Sequence, residues 1–298
     1  MGISKAVIFL FLLVIFFSIA DVSSSATFTF LNKCGFTVWP GILGNPQLDT
    51  TGFHLQKGGY RSIQAPAGWS GRFWGRTGCN FDSSDKGSCT TGDCESGQVE
   101  CNGSGANPPA TLAEFTLGSG SPDFYDVSLV DGFNLPMMVE PASGSGNCGS
   151  TGCATDINKW CPIELQTENG QACKSACDAF GTPEYCCSGT YGSPSACQPS
   201  VYAHMFKASC PKSYSYAFDD ASSTFTCTNA DYTITFCPAA STKTWNSTKP
   251  NVRKKISSDW SWLVNHTVGE SSSFAHPCFF LHTMIILVTA FITAFGMY

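Results

Sequence analysis

Asp85-Lys-Gly-Ser-Cys89-Thr-Thr-Gly-Asp-Cys94-Glu-Ser-Gly-Gln-Val-Glu-Cys101 is the stretch whose reading decides the fold. It carries three cysteines, three glycines and an Asp-Cys step, and no apolar run long enough for a helix or a buried strand. Burial cannot give such a segment its shape, so crosslinks and tight turns must.

The flanking sequence supplies the oxidising setting that crosslinks need. Lys5 precedes an unbroken apolar run from Ala6 to Phe17, and the small residues Ser23, Ser24, Ser25 and Ala26 follow. This reads as a secretory leader over residues 1–25. A membrane anchor is the competing reading, but the run is short of the roughly 20 residues a bilayer span requires. Of 17 cysteines, all but Cys278 lie between Cys34 and Cys237. In an exported chain they read as disulfides. Zinc at pairs such as Cys148 and Cys153 is disfavoured, because no histidine stands at ligand spacing. Cys186 and Cys187 are neighbours and are expected to take different partners, since a bond between them would be strained. Residues 26–238 hold 10 Lys+Arg against 19 Asp+Glu. Such an acidic domain is a poor ligand for nucleic acid or for an anionic membrane.

Alternation of polar and apolar residues marks strands at Ala26–Leu31, Phe36–Trp39, Arg61–Ala65, Trp69–Arg76, Thr111–Leu117, Asp123–Val130 and Leu135–Glu140. Two more follow at Ser223–Cys227 and Tyr232–Cys237. Short strands at this spacing imply an all-β sandwich or barrel. Between Cys148 and Cys210 nine cysteines and many glycines and serines define a separate disulfide-stapled lobe. Its best helix is Gln171–Phe180, which would set Cys173 and Cys177 one turn apart on one face.

The opening stretch resembles the thaumatin-like proteins, a plant pathogenesis-related family, whose pattern is Gly-x-Gly-x-Cys-x-Thr-Gly-Asp-Cys; Asp85 stands where that pattern has its first glycine. Trp74-Gly-Arg-Thr-Gly-Cys79, Thr111-Leu-Ala-Glu-Phe115, Ser128-Leu-Val-Asp-Gly-Phe-Asn-Leu-Pro136, Glu184-Tyr-Cys-Cys187 and Pro211-Lys-Ser-Tyr-Ser-Tyr-Ala-Phe-Asp-Asp220 extend the likeness over residues 26–238. It implies a thaumatin-like β-sandwich, a disulfide-rich second lobe with short helices, and eight disulfides. The implied pairs are Cys34 with Cys237, Cys79 with Cys89, Cys94 with Cys101, Cys148 with Cys227, Cys153 with Cys210, Cys161 with Cys173, Cys177 with Cys186, and Cys187 with Cys197. Cysteine spacing alone leaves the connectivity open.

The resemblance also implies a cleft between sandwich and lobe, lined by Arg72, Glu114, Asp126, Asp131 and Asp219, with Asp220 as the alternative to Asp219. Clustered carboxylates have three readings. They can accept hydrogen bonds from a sugar stacked on aromatics such as Phe73, Tyr214 and Tyr216. They can hydrolyse a glycosidic bond, with Glu114 as the acid and Asp131 as its partner. They can be structural, with Arg72 neutralising them. The resemblance names β-1,3-glucan as ligand or substrate. No metal and no cofactor is expected, and the domain is expected to be a monomer. A serine or cysteine hydrolase is disfavoured, because the domain's histidines are only His54 and His204 and no Gly-x-Ser-x-Gly occurs.

Asn102-Gly-Ser, Asn246-Ser-Thr and Asn265-His-Thr are glycosylation sequons. A polar linker spans 239–273, and 274–298 is an apolar tail ending without charge. Small residues from Ser271 ahead of that tail resemble a lipid-anchor attachment signal, with a single membrane helix as the rival. Either would place the domain at the outer face of the plasma membrane.

Overall fold

Period-two alternation puts Phe28, Phe30, Ile63, Tyr232 and Ile234 on one side of their strands and polar residues on the other, so two sheets can close face to face over these rings. The computed structural model describes residues 25–239 and has this architecture. Twelve strands run in chain order: β1 (Ala26–Asn32), β2 (Trp39–Asn45), β3 (Tyr60–Ala65), β4 (Ser70–Arg76), β5 (Asn80–Phe81), β6 (Gly87–Ser88), β7 (Leu112–Thr116), β8 (Asp123–Ser128), β9 (Met137–Pro141), β10 (Thr151–Cys153), β11 (Phe225–Cys227) and β12 (Tyr232–Phe236). One sheet has the order β10-β9-β12-β1-β3, the other β11-β8-β7-β4-β2, and β5 and β6 form a separate ribbon. The fold is an all-β sandwich with a disulfide-rich lobe carrying short helices: α1 (Ala176–Phe180), α2 (Pro183–Cys186), α3 (Val201–Ser209) and α4 (Asp220–Ser223).

Aromatic rings fill the sandwich. Phe28 meets Phe73 and Phe115 at 4.7 Å between centroids and lies 5.7 Å from both Trp69 and Tyr232. The lobe has a smaller core of Phe133, Ile157, Leu165 and Phe206, filled in by Cys153, Cys161, Cys173 and Cys210. Crosslinks thus supply part of the packed volume that the lobe's short apolar runs cannot. The eight bridges join the pairs that the resemblance implies.

Local structure departs from expectation at three places. The strand expected over Phe36–Trp39 instead begins at Trp39 and runs through Pro40 and Gly41. It lies at a sheet edge, where proline is tolerated. Gly41 and Gly44 are needed there, because a Cβ on either would stand 2.3–2.4 Å from the Trp74 or Trp69 ring. The helix expected over Gln171–Phe180 is confined to Ala176–Phe180, capped by the Ser175 hydroxyl accepting from the Asp178 amide. Cys173 is extended instead, exchanging two 2.8 Å backbone hydrogen bonds with Phe133, which outcompete a helical turn. Finally, β10, within the 148–210 stretch read as the lobe, pairs with β9 inside the first sheet.

Asp85 has φ +57°. Glycine is favoured in that left-handed region and aspartate is among the tolerated exceptions, which accounts for the variation at this position.

The Cys34–Cys237 bridge closes a loop with a sequence separation of 203. Replacing both cysteines by serine should lower unfolding free energy by about 5 kcal/mol on chain-entropy grounds. Urea unfolding of the double variant against wild type measures this, and an unchanged midpoint would contradict it.

Candidate functional site

The side chains of β4, β7 and β8 that do not enter the core point to the other face of the second sheet. Strand register aligns three of them in a row, with Arg72 opposite Glu114 and Glu114 opposite Asp126. Their sequence neighbours Phe73, Ala113, Phe115, Tyr125 and Val127 are buried in the sandwich. The row lines a groove of about 480 Å³, together with Leu43, Ser70, Thr116 and Phe124.

Beside β8 runs the loop that follows α3. Tyr214 bonds through its backbone to Val127 and Leu129 beside β8. Its hydroxyl donates to Asp220 Oδ1 at 2.8 Å and pairs with the Thr224 hydroxyl. Lys207 of α3 ties this loop down, donating to the Ser213 carbonyl at 3.0 Å and the Ser223 hydroxyl at 2.8 Å and pairing with Asp219 at 2.9 Å.

Expectation and structure differ over Asp219. Its carboxylate is occupied by Lys207 and by the Ser215 amide and hydroxyl, and it accepts from the Ser222 hydroxyl. Asp220 is the residue whose charge acts on Asp126. Asp131 occupies the turn after β8 and lines a second cavity of about 270 Å³ with Asp178, Phe206 and Tyr216 against the lobe. Its charge acts on Glu114 across the boundary between the two cavities.

Phe73 is fully buried, so it cannot stack on a sugar. The exposed aromatic that lines the groove is Phe124, 49% exposed and missed by sequence reasoning. The alternation along Asp123–Ser128 held the signal, because it sets Phe124 on the same face as Asp126. His204 is exposed on α3. Asn102 is exposed at φ +51°, so its sequon is accessible. The leader up to residue 24, Asn246, Asn265, Ser271 and the C-terminal tail lie outside the described residues. Among the described residues no helix is long and apolar enough to cross a membrane.

The electrostatics of the row are unbalanced. Burial pushes the Glu114 carboxyl up, and Asp131 adds to this while Arg72 opposes it. Among the described residues Arg72 makes no ion pair. Asp126 is pushed up to about 8, first by burial and then by the charges of Glu114 and Asp220. Its Oδ1 is buried and, among the described residues, has no hydrogen-bond partner. At neutral pH the row therefore offers a guanidinium donor, a carboxyl acceptor and a protonated carboxyl able to donate. That alternation matches the hydroxyls of a sugar, and a carboxyl pair with one retained proton also meets the demand of glycoside hydrolysis.

The thaumatin family profile matches residues 32–238. Over 228 residues the chain is 65% identical to Thaumatin-like protein 1 of Arabidopsis thaliana, covering 73% of this chain and 88% of that one. Over 224 residues it is 55% identical to Pathogenesis-related thaumatin-like protein 3.5 of Cryptomeria japonica, covering 73% and 92%. Over 223 residues it is 52% identical to a protein of Prunus avium named glucan endo-1,3-beta-glucosidase, covering 72% and 91%.

Asp126 carries a consequence for stability. Its pKa rises from 3.8 unfolded to about 8 folded, so between those values the folded chain holds the extra proton. The stability this proton contributes is complete at acid pH and is lost as pH rises through about 8. Asp126→Asn removes the titration. Urea midpoints measured from about pH 4 to 9 should therefore shift progressively in the variant's favour as pH rises. A difference from wild type that stays constant with pH would refute this.

Proposed function

The chain belongs to the thaumatin family, and on that premise we propose that it is a secreted, defence-related protein that binds β-1,3-glucan-type polysaccharide in the groove over β4, β7 and β8. The observation that carries this reading is the row Arg72, Glu114 and Asp126, three polar side chains in register, of which Asp126 has a buried Oδ1 with no hydrogen-bond partner among the described residues. Eight disulfides suit export. The name of the Prunus avium relative gives the linkage. The acidity of the domain argues against antifungal action by electrostatic attachment to membranes. In this reading the C-terminal signal is exchanged for a lipid anchor near Ser271, which retains the domain at the outer face of the plasma membrane.

Slow hydrolysis of the same glucan is the second reading, favoured by the Asp126 carboxyl that keeps its proton directly across from Glu114. Asp126 then takes the place expected of Asp131 as the nearest carboxyl partner of Glu114, with Asp131 acting on Glu114 through its charge.

Incubating the full chain with insoluble β-1,3-glucan, and following protein in the pellet and sugar in the supernatant, tests both readings. Binding predicts pelleting without sugar release, weakened about tenfold in Glu114→Gln by loss of one of the two carboxyl oxygens that meet the sugar. Sugar release that disappears in Glu114→Gln and Asp126→Asn would establish hydrolysis. Neither pelleting nor release would overturn the glucan reading and leave the structural role of Arg72 and its acids.

A further inference from the structure

The sandwich core does not account for Phe124. It lies two residues before Asp126 on the outer face of β8, is 49% exposed, and lines the groove with Glu114 and Asp126. Its cross-strand neighbours are Thr116 on β7 and Thr226 on β11. The Thr116 hydroxyl is hydrogen-bonded to that of Ser70 at 3.3 Å, so the surroundings are polar. Tyr125, next in the chain but facing inward, has ring partners in Phe115, Phe225 and Tyr232 at 5.1–6.0 Å. Among the described residues Phe124 has no such partner. A large apolar ring left half in water beside a row of hydrogen-bonding groups is the arrangement of a sugar-stacking platform, apolar below and polar at the edge.

Resting on the glucan-binding reading, we propose that Phe124 carries one sugar ring of the polysaccharide. Residues two apart on a strand are about 7 Å apart. That is close to the length of a pyranose ring, so a ring lying on Phe124 brings its edge hydroxyls to Asp126 and Glu114. In β-linked glucose every hydroxyl is equatorial and both faces present C–H groups to the electron-rich ring face.

The test is calorimetric titration of the full chain with a soluble β-1,3-gluco-oligosaccharide, the gluco ligand, which wild type should bind. Phe124→Ala should weaken gluco binding about tenfold, the scale of one lost ring stacking. Phe124→Tyr should retain it, and far-ultraviolet circular dichroism should show both variants folded as wild type. If wild type binds the gluco ligand and Phe124→Ala binds it equally well, the platform is overturned while the glucan reading stands. Wild type that does not bind the gluco ligand overturns the platform and the glucan reading together.

Discussion

The parallel pairing of β1 with β12 is the contact on which the rest of the structure depends. It joins the two ends of the domain at the middle of the first sheet and sets Phe28 opposite Tyr232 and Phe30 opposite Ile234. All four side chains are fully buried. Without this pair the first sheet has no centre and the rings of Phe73 and Phe115 have nothing to close against. The entropy of bringing such distant segments together opposes the pairing. The Cys34–Cys237 bridge beside it removes much of that opposition from the unfolded chain.

A second set of contacts fastens the cysteine-rich stretch to the second sheet. Arg76 is fully buried beneath it, donating to the carbonyls of Trp39 and Pro40 on one side and of Gln98 and Val99 on the other. Burial lowers its pKa to about 10, with Asp93 and Glu100 opposing, so the guanidinium stays charged. Burial alone would raise the Glu100 carboxyl, but hydrogen bonds from Thr50, Thr51 and Gly52 outweigh it and hold the group below its ordinary value. Two arginines on one face of β4 thus have opposite fates: Arg76 is a fastening, and Arg72 stays available to the groove.

Stability and site draw on the same sheet in opposite directions. The inner face of β4, β7 and β8 supplies aromatic packing, while the outer face withdraws two neighbouring carboxyls from water with a single arginine among them. Active and binding sites commonly carry such destabilising arrangements, offset elsewhere in the fold. Here the offset includes the Lys207 network, which holds the 213–223 loop so that Tyr214 and Asp220 reach the vicinity of Asp126.

Much of this was legible in the chain itself. Period-two alternation located most of the strands and the cysteine content announced the crosslinked lobe, because both follow from local composition and the pleat. Resemblance, rather than spacing, supplied the pairing and the identities of Arg72, Glu114, Asp126 and Asp131. Tertiary structure alone decided the rest. Strand register set Glu114 between Arg72 and Asp126. Burial separated Phe73 from Phe124, although both are aromatics on strands of one sheet. Lys207, on α3, ion-pairs with Asp219 and not with its neighbour Asp220. The physical reason is the same in each case. A residue's type and spacing are local properties, whereas its solvation and its charged neighbours are set by segments that meet only when the sheets close.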